Sequence, residues 1–209
     1  MIKNTLWPLL VFSLTFHAAG SELLKRAMES SGVRGGFAVV LGDELLEKEA
    51  VESLNIISNH FVVHHLVNSA ESVTALRTQL DQKGIYGRIS VNRYDGNQLP
   101  YYDNLINLLI LNTPGSVSMA ECKRVLAPNG VLMVRDPKNH EWTKTVKAWP
   151  EGLDGWPHYL YGPGNNSVNK DTTVAPPKHV RWLAGPEWMR SHENDASLST
   201  MVSDQGRLY

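Results

Sequence analysis

Glu121-Cys122-Lys123-Arg124-Val125-Leu126-Ala127-Pro128-Asn129-Gly130-Val131-Leu132 is the stretch whose reading decides the fold. Cys122, Val125 and Leu126 fall three and four residues apart, with charged residues between them, as on a helix with one apolar face. Pro128, Asn129 and Gly130 then stop that helix, since proline lacks an N–H and asparagine and glycine take turn conformations. Val131-Leu132-Met133-Val134 follows at once as a short apolar run, the pattern of a buried strand.

Working backwards from this junction, the same alternation recurs. Leu105 to Leu111 is a nearly continuous apolar run, again a buried strand. Arg88 to Tyr94 alternates apolar and polar residues. Ala70 to Lys83 carries Val73, Leu76 and Leu80 at helical spacing and meets Gly84 at its end. Phe61 to Val67 is β-branched, Asp43 to Leu54 reads as helix, and Phe37 to Leu41 is a strand closed by Gly42. Ser21 to Ser31 opens the series as a short helix with Leu23, Leu24, Ala27 and Met28 on one side. Strands that alternate with helices in this order predict an α/β domain with a mostly parallel sheet. Ligands of such sheets bind at the carboxyl ends of the strands.

The regime changes after Asp136. Trp149-Pro150, Trp156-Pro157, Gly162-Pro163-Gly164-Asn165-Asn166 and Pro176-Pro177 crowd residues 149–188 with turn formers, and helical periodicity is lost. Gly206-Arg207-Leu208-Tyr209 reads as the start of a strand, which predicts that the sequence is a fragment of a longer one. The domain reading is therefore a leader over 1–20, an α/β domain over 21–148, and a distinct segment over 149–209.

The leader has the anatomy of an export signal. Lys3 gives a positive start, Leu6 to Phe16 an apolar stretch, and Ala18-Ala19-Gly20 small residues before a cleavage point at Ser21. An uncleaved N-terminal anchor is the alternative. This reading places the protein in the periplasm or outside the cell, with no stable membrane span after cleavage. The 209 residues carry 20% charged residues and a formal net charge of −1, so no broad basic field exists to hold nucleic acid. The one cysteine, Cys122, reads as a buried thiol. His64 and His65 are neighbours in a strand and so face opposite sides. His158, His179 and His192 lie in the aromatic segment, where surface or hydrogen-bonding roles outweigh a metal site. Asn165-Asn166-Ser167 fits a glycosylation sequon, a three-residue pattern that carries little weight by itself. There is no P-loop, no Gly-x-Ser-x-Gly elbow and no paired-cysteine site, and no metal is expected.

Two elements together resemble class I S-adenosylmethionine-dependent methyltransferases. Glu121 to Leu132 resembles that family's Glu-x-x-Arg-Val-Leu-x-Pro-Gly-Gly junction. Asp95-Gly96-Asn97-Gln98-Leu99-Pro100-Tyr101-Tyr102-Asp103 resembles its Asp-x-x-x-Leu-Pro-x-x-Asp loop. The resemblance covers about residues 35–136 and implies a Rossmann-like sheet. It implies cofactor-side positions at Gly42, Asn68, Asp95 and Leu99, and it assigns no catalytic residue. Asp95 reads equally well as a turn residue before Gly96. The sequence departs from the family where the cofactor should lie. Of the Gly-x-Gly-x-Gly turn only Gly42 remains, followed by Asp43-Glu44-Leu45-Leu46. The acidic residue that holds the ribose hydroxyls is replaced by Asn68, which cannot hold a diol as a carboxylate does.

The later segment resembles the lead-in to exported bacterial proteins with a β-propeller of the pyrroloquinoline-quinone (PQQ) type. Asp154-Gly155-Trp156-Pro157-His158-Tyr159, Asn165-Asn166, Pro176 to Trp182 and Trp188 to His192 carry it. The resemblances imply a degenerate, non-catalytic methyltransferase-like domain ahead of a propeller that is cut off. One alternative is an active small-molecule methyltransferase using S-adenosylmethionine, which is what the domain would be if it is an enzyme. Another is part of a quinoprotein oxidoreductase whose PQQ would lie in the missing propeller. The resemblances name no small-molecule or protein partner.

Overall fold

The computed structural model describes residues 23–42, 60–96, 98–112, 117–174, 201–204 and 207–209. The expected helix over Asp43–Leu54, the leader, and the segment with His179 and His192 lie outside these residues. Two compact units divide the chain, one reaching to Lys147 and one starting at Ala148.

The first unit is built on a six-stranded sheet. Its strands are β1 (Gly36–Leu41), β2 (Phe61–Val67), β3 (Ile89–Arg93), β4 (Ile106–Leu111), β5 (Leu126–Arg135) and β6 (Trp142–Val146). The order is β3-β2-β1-β4-β5-β6, the first five parallel and β6 antiparallel to β5. This is the Rossmann-like α/β arrangement. β6 has no counterpart in the sequence reading, because Trp-Thr-Lys-Thr-Val lacks an apolar run: one edge of the strand faces β5 and the other faces outward.

Side-chain alternation divides the core into two layers. One face buries Ala38, Val40, Val63, Val67, Leu108, Ile110 and Met133 against Leu24, Ala27 and Met28 of α1 (residues 23–31) and Val73, Leu76 and Leu80 of α2 (Ala70–Gln82). The other buries Val39, Leu41, Leu66, Leu109, Leu111 and Leu132 against Cys122 and Val125 of α3 (Met119–Val125). Strands buried on both faces read as continuous apolar runs, which is why β1, β2 and β4 were visible in the sequence. Ser69 caps α2 by accepting a hydrogen bond from the Ser72 N–H, and Gly84 follows its end at φ +66°.

The Glu121–Leu132 junction is tighter than its sequence suggests. α3 ends at Val125, and β5 begins at Leu126 rather than at Val131. Ile106 pairs with Leu126 and Leu108 with Val131, so Ala127 to Gly130 form a bulge in β5. Asn129 sits in it at φ +62°. A side chain at Gly130 would lie 2.7 Å from the Ala127 carbonyl oxygen and 2.9 Å from that of Ile106.

Every carbonyl at the end of α3 is satisfied, as a buried helix end requires. The Leu126 N–H donates to Cys122, Asn104 N–H to Arg124 and Leu105 N–H to Val125. Lys147 Nζ donates to the carbonyls of Lys123 and Leu126 at 2.6 and 2.7 Å, and to Asn104 Oδ1 at 2.6 Å. Lys147→Met is expected to cost about 1–2 kcal/mol, since three acceptors lose one charged donor. A urea midpoint equal to that of the unchanged protein would overturn this role for Lys147.

The second unit is held by turns, as its composition predicts. Asp154 accepts from the Gly155 and Lys170 N–H groups and from the Tyr161 hydroxyl, while its own N–H donates to Asp171. The Tyr161 hydroxyl, first among these partners, holds the Asp154 carboxyl below its ordinary value. Among the described residues the regular structure here is one hairpin, β7 (Ser203–Asp204) with β8 (Arg207–Leu208), which Trp156 joins through an isolated bridge to Ser203.

Candidate functional site

The strand order reverses between β1 and β4. In open parallel sheets this switch point, at the carboxyl ends of the strands, is where ligands bind. Gly42 and Asn112 follow β1 and β4 directly and flank it. Asn68 and Asp95 stand after β2 and β3, and Arg135 ends β5.

At the β2–β3 corner the two expected cofactor positions meet on one guanidinium. Arg93, the last residue of β3, donates through Nε to the backbone carbonyl of Asn68 at 3.1 Å and through Nη2 to Asp95 Oδ2 at 2.8 Å. The Arg93 and Asp95 side chains are 57% and 70% exposed, so this is a solvated pair of small energetic worth. Ser69 donates to Glu71 Oε2 beside it and holds that carboxyl below its ordinary value.

Leu99 is a core residue. It is 2% exposed and belongs to the second core layer. Its N–H donates to Glu121 Oε1 at 2.8 Å and its carbonyl accepts from Arg124 at 3.2 Å. Arg124 also donates to both Glu121 oxygens, to the Tyr101 carbonyl and to Asp103 Oδ1. The Leu-Pro-x-x-Asp loop and the Glu-x-x-Arg helix are therefore two halves of one clamp. Ser118 caps α3 through the Glu121 N–H, but the Glu121 carboxylate turns to Arg124 and Leu99. The Arg124 hydrogen bonds hold the Glu121 carboxyl below its usual range.

Around the switch point runs a polar thread that the sequence did not announce. His65, fully buried, places Nε2 2.6 Å from the Gly42 carbonyl oxygen. Gly42 has φ +125°, and a Cβ there would lie 2.9 Å from Asn112 Cβ. Asn112, 7% exposed, donates its N–H to the Leu41 carbonyl and accepts from Arg135 Nη1 at 2.9 Å. Arg135 Nη2 meets His140 Nδ1 at 2.9 Å. The residues come from β2, β1, β4, β5 and the β5–β6 turn. The one sequence signal was a polar residue directly after an apolar strand.

His64 lies on the opposite face, as strand alternation requires, with Nδ1 2.8 Å from the Tyr101 hydroxyl. Burial, then Arg77, lowers its pKa, and burial raises that of Tyr101. Cys122 is buried, and burial pushes its thiol up to about 11, which suits an inert core residue. Among the described residues no group of three or more His, Cys, Asp or Glu side chains is placed to hold a metal ion, and no helix is long and apolar enough to cross a membrane.

No family model matches the chain, and no curated protein matches it in sequence. Among solved structures it is similar to a putative S-adenosyl-L-methionine-dependent methyltransferase from Methanococcus maripaludis, at 16% identity and a TM-score of 0.48, over 65% of this chain and 67% of that one. It is also similar to a SAM-dependent methyltransferase from Aquifex aeolicus, at 17% identity and a TM-score of 0.45, over 56% of this chain and 65% of that one. A third is the geranyl diphosphate C-methyltransferase of Streptomyces coelicolor A3(2), at 16% identity and a TM-score of 0.46, over 56% of this chain and 44% of that one. These neighbours are methyltransferases; the α/β architecture of this chain rests on its own strand pairing, and values of this size assign it no activity.

Proposed function

We propose that the sheet domain is a degenerate, non-catalytic methyltransferase-like module of an exported bacterial protein that leads into a PQQ-type β-propeller. The observation that carries the first part is Asn68, a neutral amide directly after β2 where the ribose hydroxyls would need a carboxylate. S-adenosylmethionine needs a carboxylate on its ribose hydroxyls and an acceptor at its adenine. Here Asn68 stands in the first place, and the Asp95 carboxylate in the second is paired with Arg93, which also holds the Asn68 carbonyl. Gly42, the surviving glycine, packs against Asn112. These residues do not fit the cofactor. Export and the propeller rest on the sequence patterns of residues 1–20 and 149–209.

Isothermal titration tests the cofactor reading. No saturable heat is expected with S-adenosylmethionine or its demethylated product up to millimolar concentration. Saturable binding of either would sink the proposal in favour of an active methyltransferase. N-terminal sequencing of the secreted protein should begin at Ser21, and the downstream coding sequence should carry propeller repeats.

A further inference from the structure

We infer that Arg135 forms an oxyanion-binding subsite at the switch point of the sheet, for a ligand that carries a carboxylate or a phosphate. Arg135 is half-buried at the end of β5. A guanidinium has five N–H donors and is always charged. Nη1 meets the amide oxygen of Asn112 and Nη2 meets the ring of His140. Neither partner is a carboxylate: Nη1 faces an amide oxygen and Nη2 an imidazole nitrogen. Nε is buried and meets no acceptor. Among the described residues no carboxylate pairs with Arg135.

The acids of the adjoining turn bond within it. Asp136 Oδ1 accepts from the Lys138 N–H, and Glu141 Oε2 accepts from Asn139 Nδ2. A half-buried cation with no carboxylate partner leaves its charge unbalanced, and an anion at the open edge of the guanidinium would offset it. The turn itself is shaped to hold this arrangement. His140 has φ +61°, a left-handed conformation uncommon outside glycine. The Asp136–Glu141 and His140–Asp136 backbone hydrogen bonds fix it there. That conformation brings the imidazole onto the guanidinium, and Asn112 brings the guanidinium to the switch point.

S-adenosylmethionine itself carries a carboxylate on its methionine end, so the probes used lack the adenosyl group, and their outcome is read separately from the titration with the cofactor. Proton–nitrogen spectra of the full chain, labelled in arginine, follow the Nε–H resonance of Arg135. That resonance is assigned by through-bond correlation to its own backbone, so the measurement does not need a folded variant. Acetate and inorganic phosphate are titrated separately at constant ionic strength, with chloride as control. A saturable shift at millimolar concentration with acetate alone marks a carboxylate site, with phosphate alone a phosphate site, and with both an unselective oxyanion site. A response no different from chloride would overturn the inference. Where Arg135→Lys folds, it should weaken the binding at least tenfold by loss of the fork geometry, read from backbone amide shifts at Asn112 and His140; undiminished binding would also overturn it.

Discussion

An Arg124→Met variant is expected to lose about 3 kcal/mol of unfolding free energy, as one side chain that makes several charge-assisted bonds is removed from a half-buried site. Five hydrogen bonds leave with the guanidinium: two to Glu121, and one each to Leu99, Tyr101 and Asp103. The Asp103 arm contributes least, because that carboxylate is 66% exposed and screened. The Glu121 arm weighs most, at 13% exposure, since its carboxylate is left with the Leu99 N–H among the partners described. The loop that the clamp holds carries Leu99 and Tyr101 into the second core layer, so loosening it also exposes apolar surface.

The same variant should change the dependence on pH. The Glu121 carboxyl is held below its ordinary value, first by Arg124. A carboxyl with a depressed folded pKa contributes stability that is complete above its unfolded value, about 4.3, and is lost as pH falls through the folded one. The unchanged protein should therefore lose stability on acidification below about pH 5. In Arg124→Met that limb should be shallower, because the largest cause of the depression is gone. Urea unfolding at a series of pH values measures both. Coincident midpoints with parallel acid limbs would remove the clamp from the account of stability. Arg124→Lys should recover little, since an ammonium on a flexible stem cannot reach acceptors that a planar fork meets together.

The clamp also shows where sequence reading reaches and where it stops. Its residues were visible as two motifs, and the resemblance set Leu99 on the cofactor side. The structure sets Leu99 in the core and uses both motifs to fasten a loop to a helix. The parallel strands were legible because burial on both faces makes each an apolar run. β6 was not, because an edge strand needs no such run. The bulge in β5 was hidden because Pro128, Asn129 and Gly130 stop a helix and bulge a strand equally well. The polar thread was least legible. His65, Asn112, Arg135 and His140 are separated by 47, 23 and 5 positions, and only the sheet order brings them together. Arg93 carries no signal of its own in the sequence, yet its length lets it span from β3 to the end of β2 and join Asn68 with Asp95.

Gly42 is where the resemblance and the structure give different reasons for the same residue. A cofactor loop needs glycine so that a ligand can approach; here the need comes from the sheet. Gly42→Ala is expected to cost about 2–3 kcal/mol, the sum of a disfavoured backbone and a crowded Cβ. The backbone part follows from φ +125° and the crowding from Asn112 Cβ at 2.9 Å. Gly84 separates the two: it has φ +66°, and a Cβ there meets nothing within 4 Å. Gly84→Ala should therefore cost only about 1 kcal/mol, a backbone effect alone. Asn112→Gly removes the atom that Gly42→Ala would strike, so the double variant should be more stable than the sum of the single costs by about 1 kcal/mol. Chemical unfolding of the four proteins beside the unchanged chain decides the matter. Strict additivity, or equal costs at Gly42 and Gly84, would mean that Asn112 does not hold this position. The expected coupling would mean that glycine is required across the switch point by β1 and β4 themselves, so that its presence is no evidence for a bound cofactor.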